Sequence, residues 1–139
     1  MDIRYPALLK REETRFLVKF IDLSDTFTEG ATEDEALFNA AEVLSAMLDW
    51  RLDNVQTVSP PSANVPDAHY IAPDAKTQAA LLVRLARGER SLADLARALE
   101  TSWLAAKRLE DTRHWSSLKQ LEKTATALGY KLVLSFESL

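Results

Sequence analysis

Residues 91–114 read SLADLARALETSWLAAKRLEDTRH, and their apolar spacing decides how the second half of the chain is read. Leu92, Leu95, Ala96 and Leu99 recur at helical spacing, and Ala106 and Leu109 resume the pattern after a break. Two short helices with such stripes bury them against each other across a tight turn, with Ala96 supplying the small side chain at the closest approach. Thr101 and Ser102 fill that turn, and Ser102 is of the residue type that caps a helix start. The second helix then presents Trp103, Leu104, Lys107 and Arg108 on its outer face. This is the spacing of a helix-turn-helix, whose second helix enters the major groove of DNA. Lys107 and Arg108 are candidates for phosphate and guanine contacts, and Arg113, Lys119 and Lys123 extend the positive strip. Trp103 has two readings, a contact on DNA or burial against a second chain. Glu100 stands where such turns usually hold glycine. A left-handed conformation at a non-glycine residue costs roughly 1–2 kcal/mol, and a carboxylate there repels phosphates. The competing reading is a helical unit used only for packing or dimerisation.

Helix signals surround this segment. Asp74 caps a helix through Arg87 that Gly88 ends, and Ser117 with Gln120 starts a last helix ending at Gly129. The final stretch, YKLVLSFESL, puts Leu132, Leu134 and Phe136 on one face of an expected terminal strand. It has no partner in its own neighbourhood, so it either joins a sheet elsewhere in the chain or pairs with its copy in a second molecule. The second option is the expectation here.

The first half has strand periodicity. Asp2 to Leu9 and Arg15 to Leu23 are extended runs around the charged KREET segment, which predicts a hairpin. Phe16, Val18 and Phe20 form its apolar face, and Thr26 to Thr28 add a short third strand before Gly30. Thr32 and Glu35 form a T-x-x-E capping box. The helix it opens carries Leu37, Ala40, Ala41, Leu44, Met47, Leu48 and Leu52 as one stripe for packing on a sheet. Four of the five prolines lie between Asn54 and Pro73, which excludes a continuing helix and places the linker around residues 56–66. His69 to Ile71 is expected to return as an edge strand. The result is an α+β chain with a βββαβ unit in residues 1–72 and a helical unit with a terminal strand in residues 73–139.

Composition narrows the functions. The 139 residues contain no cysteine, which excludes disulfides and thiolate metal sites. No run is apolar enough for a membrane span, and the start lacks a signal-peptide core, so a cytoplasmic location is expected. The net charge of −4 is unevenly divided. Residues 1–72 hold 6 basic and 13 acidic side chains, whereas residues 73–139 hold 11 and 8. An acidic half and a basic half imply partners of opposite sign, unless solvated charges have merely clustered. Asp22, Asp25, Glu29 and Asp34 fall in loops and a helix cap rather than at strand centres, a poor basis for a two-metal nuclease. His69 and His114 lie in different halves, and no glycine-rich phosphate loop is present. No metal, cofactor or enzymatic activity is expected.

The run FIDLSDTFTEGATEDEALFNAAEVLSAML, Phe20 to Leu48, resembles the HicB antitoxin family. Phe20, Asp22, Leu23, Gly30, Thr32, Asp34, Glu35 and Ala36 match its F-P-D-L…G-x-T-x-E-E-A pattern, with Ile21 replacing the proline. Residues 91–134 are similar to family members with a C-terminal helix-turn-helix, apart from Glu100. The resemblance implies a partial ribonuclease-H-like N-terminal domain without catalytic function, and a HicA-like toxin partner, a small basic ribonuclease that cleaves messenger RNA. It also implies that the C-terminal domain binds operator DNA as a homodimer or higher homo-oligomer and represses transcription. The expected DNA contacts are Thr101, Ser102, Trp103, Lys107, Arg108 and Arg113. The expected toxin contacts are the carboxylates Asp22, Asp25 and Glu29, with Phe20, Leu23 and Phe27 as apolar anchors among them. The alternatives are a stand-alone regulator whose N-terminal domain senses a ligand, and an active nuclease.

Overall fold

A four-residue loop, Glu12 to Arg15, turns the first strand back on the second, and the Glu12 N–H closes it by donating to the Arg15 carbonyl at 2.8 Å. The computed structural model, which describes residues 1–139, forms β1 (Tyr5–Arg11) and β2 (Phe16–Phe20) here, then β3 (Phe27–Gly30), α1 (Glu33–Asp53) and β4 (His69–Ile71). The helices α2 (Ala75–Arg87), α3 (Leu92–Ala98), α4 (Trp103–Arg108) and α5 (Leu118–Ala127) follow. The four strands form one antiparallel sheet in the order β3-β2-β1-β4. The expected βββαβ order is therefore present, and β4 is the expected edge strand. The third strand runs two residues further than the sequence pattern placed it, because Gly30 pairs with Phe16.

Strand alternation decides which side of the sheet α1 covers. Tyr5, Ala7, Val18 and Phe20 point to it and are buried. From α1 they meet Ala36, Ala40, Leu44, Leu48 and Leu52, one residue per helical turn, all buried. Leu37, Ala41 and Met47, included in the expected stripe, lie half-buried at its flanks. Thr32 caps α1 by accepting from the Glu35 N–H at 3.1 Å. The Glu35 carboxylate accepts from the Ala31 N–H rather than from that of Thr32, so the capping box is shifted by one residue. Gly30 is needed for a steric reason. A Cβ there would lie 2.4 Å from the Ala36 backbone nitrogen.

The proline-rich linker is packed against the sheet. Val58 is buried in the sheet–helix core, and the Tyr5 hydroxyl donates to the Ser59 carbonyl at 2.7 Å. Ser62 donates from its backbone N–H to Asp22 at 2.9 Å, and the Tyr70 hydroxyl donates to the Ser62 carbonyl at 2.8 Å. The segment is a strap tied across the sheet. Prolines exclude a helix but do not exclude a packed extended chain.

A second core contains Val83, Leu95, Ala96, Leu99, Ala106, Leu109 and Leu128. The helix α2 serves both cores, Ala80 and Leu81 in the first and Val83 in the second. Between α2 and the end of α4 sits Glu110, buried and held by Arg84 Nε at 2.8 Å and Arg87 Nε at 2.6 Å. The C-terminal segment does not join the sheet of its own chain. Residues 130–139 make no strand pairing, Leu132 is half-buried, and Leu134 and Phe136 are exposed. A strand exists only through its ladder, and within one chain this segment has none.

The close approach at Gly30 yields a test. Gly30→Ala forces β3 away from α1 and is expected to cost about 1–3 kcal/mol, read as a lower urea midpoint with an unchanged slope. A midpoint equal to that of the unsubstituted chain contradicts this packing.

Candidate nucleic-acid interface and partner surface

The helix α3 opens with a full capping box, in which Ser91 accepts from the Asp94 N–H and Asp94 accepts from the Ser91 N–H. It closes through two bonds, the Thr101 N–H donating to the Ala96 carbonyl at 2.9 Å and the Glu100 N–H to the Arg97 carbonyl at 3.1 Å. This six-to-one and five-to-two pair is the Schellman arrangement, whose penultimate residue must be left-handed. Glu100 occupies that place with φ +54°, as its position in the sequence led us to expect. The same six-to-one closure ends α5 at Gly129 and α1 at Val55, where the Gln56 N–H donates to the Arg51 carbonyl.

Ser102 caps α4 by accepting from the Ala105 N–H at 3.1 Å. Ala106 and Leu109 face inward onto Leu95, Ala96 and Leu99. The opposite face is left open. Trp103 and Leu104 are half-exposed, and Thr101, Ser102, Lys107 and Arg108 are exposed. The Lys107 ammonium lies 5.3 Å from the centre of the Trp103 ring, so the two side chains form one cationic and aromatic surface. Lys107 and Arg108 also occupy the last turn of α4, where its carbonyl ends favour positive charge.

Arg113 is placed differently from the expected DNA contact. Its guanidinium pairs with Asp111 and Asp53, each at 3.0 Å. The Arg113 hydrogen bond accordingly holds the Asp111 carboxyl below its ordinary range. Of the further cations, Lys119 is exposed, and Lys123 donates to the Leu99 carbonyl at the end of α3.

The expected N-terminal contacts divide in the same way. Phe20 and Leu23 are 1% and 2% exposed, so they belong to the core and present nothing to a partner in this structure. Phe20 follows from the alternation of β2, in register with Ala7 on the face that α1 covers. Asp22 accepts from the backbone and hydroxyl of Ser62. Asp25 pairs with Arg51 at 2.7 Å, whose hydrogen bond holds that carboxyl below its ordinary range, and Glu29 pairs with Arg15 at 2.6 Å. Phe27 is 66% exposed on the outer side of the sheet. No three His, Cys, Asp or Glu side chains are grouped to hold a metal ion. Burial, and then the charge of Asp22, push the Tyr5 phenol above its ordinary value. No helix is long and apolar enough to cross a membrane.

Two features were missed in the sequence. Glu110 joins residues more than twenty positions away, and no local pattern signals that contact. Phe38 does carry a signal, since it is an aromatic residue off the apolar stripe of α1, and it is 67% exposed.

Comparison with known proteins gives a consistent set. A family model described as HicB_like antitoxin of bacterial toxin-antitoxin system matches residues 4–79. The chain is 26% identical over 133 residues to Antitoxin HicB 2 of Photorhabdus laumondii, covering 96% of each chain. It is 25% identical to Antitoxin HicB 1 of the same organism, covering 98% of this chain and 88% of that one. It is 26% identical to Antitoxin HicB of Escherichia coli K12, covering 95% and 98%. These matches run through both cores, not only the part the family model covers.

The turn between α3 and α4 is open to a direct test. Glu100→Gly relieves a left-handed strain of roughly 1–2 kcal/mol and adds chain flexibility that costs roughly 0.5–1 kcal/mol. A raised urea midpoint is expected. A lowered one means that the Glu100 side chain makes a stabilising contribution outweighing its strain.

Proposed function

This chain belongs to the HicB-like antitoxin family of bacterial toxin–antitoxin systems, and we propose that it works with two separate surfaces. In this reading the N-terminal unit binds and silences a HicA-like ribonuclease toxin, and the C-terminal unit binds operator DNA and represses its own operon. The protein acts by binding, without catalysis, in the cytoplasm where messenger RNA and operator are found.

The observation that carries the DNA reading is the outward face of α4. A helix six residues long buries Ala106 and leaves Trp103, Lys107 and Arg108 unburied. A helix that only packed would gain nothing from holding an indole and two cations in water. In a helix-turn-helix, with α3 lying across the backbone, α4 is the recognition helix, its cations taking phosphates or guanine edges and its indole meeting thymine methyls or sugar. Ser102 and Thr101 are placed at its N-terminal end for backbone contacts. Arg113 joins only if DNA phosphates draw it from Asp53 and Asp111.

The toxin reading is supported by charge. A protein that grips RNA presents positive charge, and residues 1–72 carry a net −7. Complementary fields speed encounter and disfavour wrong partners. Asp22, Asp25, Phe27 and Glu29 remain at the surface, although the three carboxylates already have partners within the chain.

Operator half-sites about one helical turn apart call for two recognition helices. Residues 130–139 supply a means of pairing. They take part in no helix or ladder, and Val133, Leu134, Phe136 and Leu139 are exposed. Joining the same segment of a second copy satisfies the ladder and covers these side chains.

Two experiments check the reading. The double substitution Lys107→Ala with Arg108→Ala is expected to weaken binding to the chain's own promoter DNA by about a hundredfold. Toxin neutralisation in cells should remain unchanged. Loss of both activities contradicts the division of labour. Deleting Lys131 to Leu139 is expected to leave a monomer on sizing with light scattering, and an unchanged oligomer dismisses the tail as the pairing element.

A further inference from the structure

Besides Ile21 and the end of α1 at Trp50 and Val55, the N-terminal unit exposes apolar side chains on two broad faces that differ in charge. One is the outer face of the sheet. There Lys19 stands in register between Phe27 and Leu8, and Leu17 between Glu29 and Lys10. Leu8 and Phe27 are 45% and 66% exposed, but Lys10 and Lys19 interleave them and Glu29 is neutralised by Arg15. A cationic surface is repelled from this face.

The other place is the solvent side of α1. Phe38 stands there with Asp34 one turn before it and Glu42 one turn after it. Neither carboxylate takes part in any ion pair of the chain. The same line of α1 continues through Ser45 to Asp49, where it borders a groove of about 370 Å³ between α1 and the start of α2. Glu42, Asp49 and Asp74 line the groove with a single cation, Lys76, and Ala46 and Pro73 supply apolar wall. An exposed aromatic ring next to unpaired carboxylates has the anatomy of a contact centre with a polar rim. A long cationic side chain suits such a groove, with its stem against the apolar wall and its head among the acids.

We propose that the face of α1 from Asp34 to Asp49, with the groove beside it, is where a basic polypeptide docks. Phe38 is the apolar anchor, and the groove takes a lysine or arginine side chain of the partner. This rests on the antitoxin reading and specifies its surface, moving the contact from the turn after β2 to the outer side of α1.

The test titrates the full chain with the purified toxin encoded in the same operon, by calorimetry at low and raised salt. Phe38→Ala and Glu42→Lys change exposed side chains, so the fold is retained. Each is expected to weaken binding by about tenfold or more, and Glu42→Lys is expected to flatten the salt dependence. Leu8→Ala on the sheet face is expected to stay within about threefold of the unsubstituted chain. Unchanged binding by both α1 variants overturns the proposal. If Leu8→Ala loses binding instead, the contact lies on the sheet and the antitoxin reading stands. If the unsubstituted chain does not bind the toxin at all, the surface and the antitoxin reading fall together.

Discussion

The carboxylate of Glu110 is the constraint on which the rest of the arrangement depends. It sits just past the end of α4, buried, between the guanidiniums of Arg84 and Arg87 on α2. Arg87 adds a second bond from Nη2 to Oε1 at 2.9 Å, so all the hydrogen bonding is charge-assisted. Taking such charges out of water is costly, and losing one partner of a buried pair typically costs about 3–5 kcal/mol. Displacing α4 from α2 therefore leaves a buried charge without its partner. Because α2 also contributes Ala80 and Leu81 to the sheet–helix core, fixing α4 on α2 fixes α4 relative to α1. The next residues continue the same latch. Thr112 donates its hydroxyl to Asp49, and Arg113 pairs with Asp53, both acceptors on α1.

What the sequence revealed follows from the range of each interaction. Thr32, Asp74, Ser91, Ser102 and Ser117 each accept from a backbone N–H three residues on. That contact is contained in four residues, so residue type and spacing suffice to find it. Glu100 was legible for the same reason, since the Schellman closure spans six residues and demands one left-handed position. The hairpin and the phase of β2 were legible through alternation. That alternation also places Phe20 inside, in conflict with an anchoring role. Leu23 lies beyond the strand end, where no phase remains to read.

The features that escaped the sequence are long-range or conditional. Val58, Ser59 and Ser62 bind the sheet from a segment that proline content marks only as non-helical. Glu110 finds its partners across 23 and 26 positions. Residues 130–139 have a strand pattern, but a pattern states what a segment is able to pair with and supplies no partner. Arg113 has a local partner as well as a distant one. Asp111, two residues earlier, is within reach of its guanidinium without any tertiary structure, whereas Asp53 is brought to it only by the fold.

An acidic unit and a basic unit in one chain should attract and cancel each other's fields, which would spoil both surfaces. One ion pair, Arg113 with Asp53, joins the two halves at the junction, and the buried cations there are matched within the C-terminal unit. Arg113 is matched by Asp53 and Asp111, and Arg84 and Arg87 by Glu110. With those opposite charges satisfied at short range, Asp34 and Glu42 stay unpaired on α1, and Lys107 and Arg108 stay unpaired on α4. Charges separated by more than the screening length of roughly 8 Å act nearly independently at physiological salt. The ion pairs that orient α4 thus take up Arg84, Arg87 and Arg113 and leave the cations of its outer face unpaired.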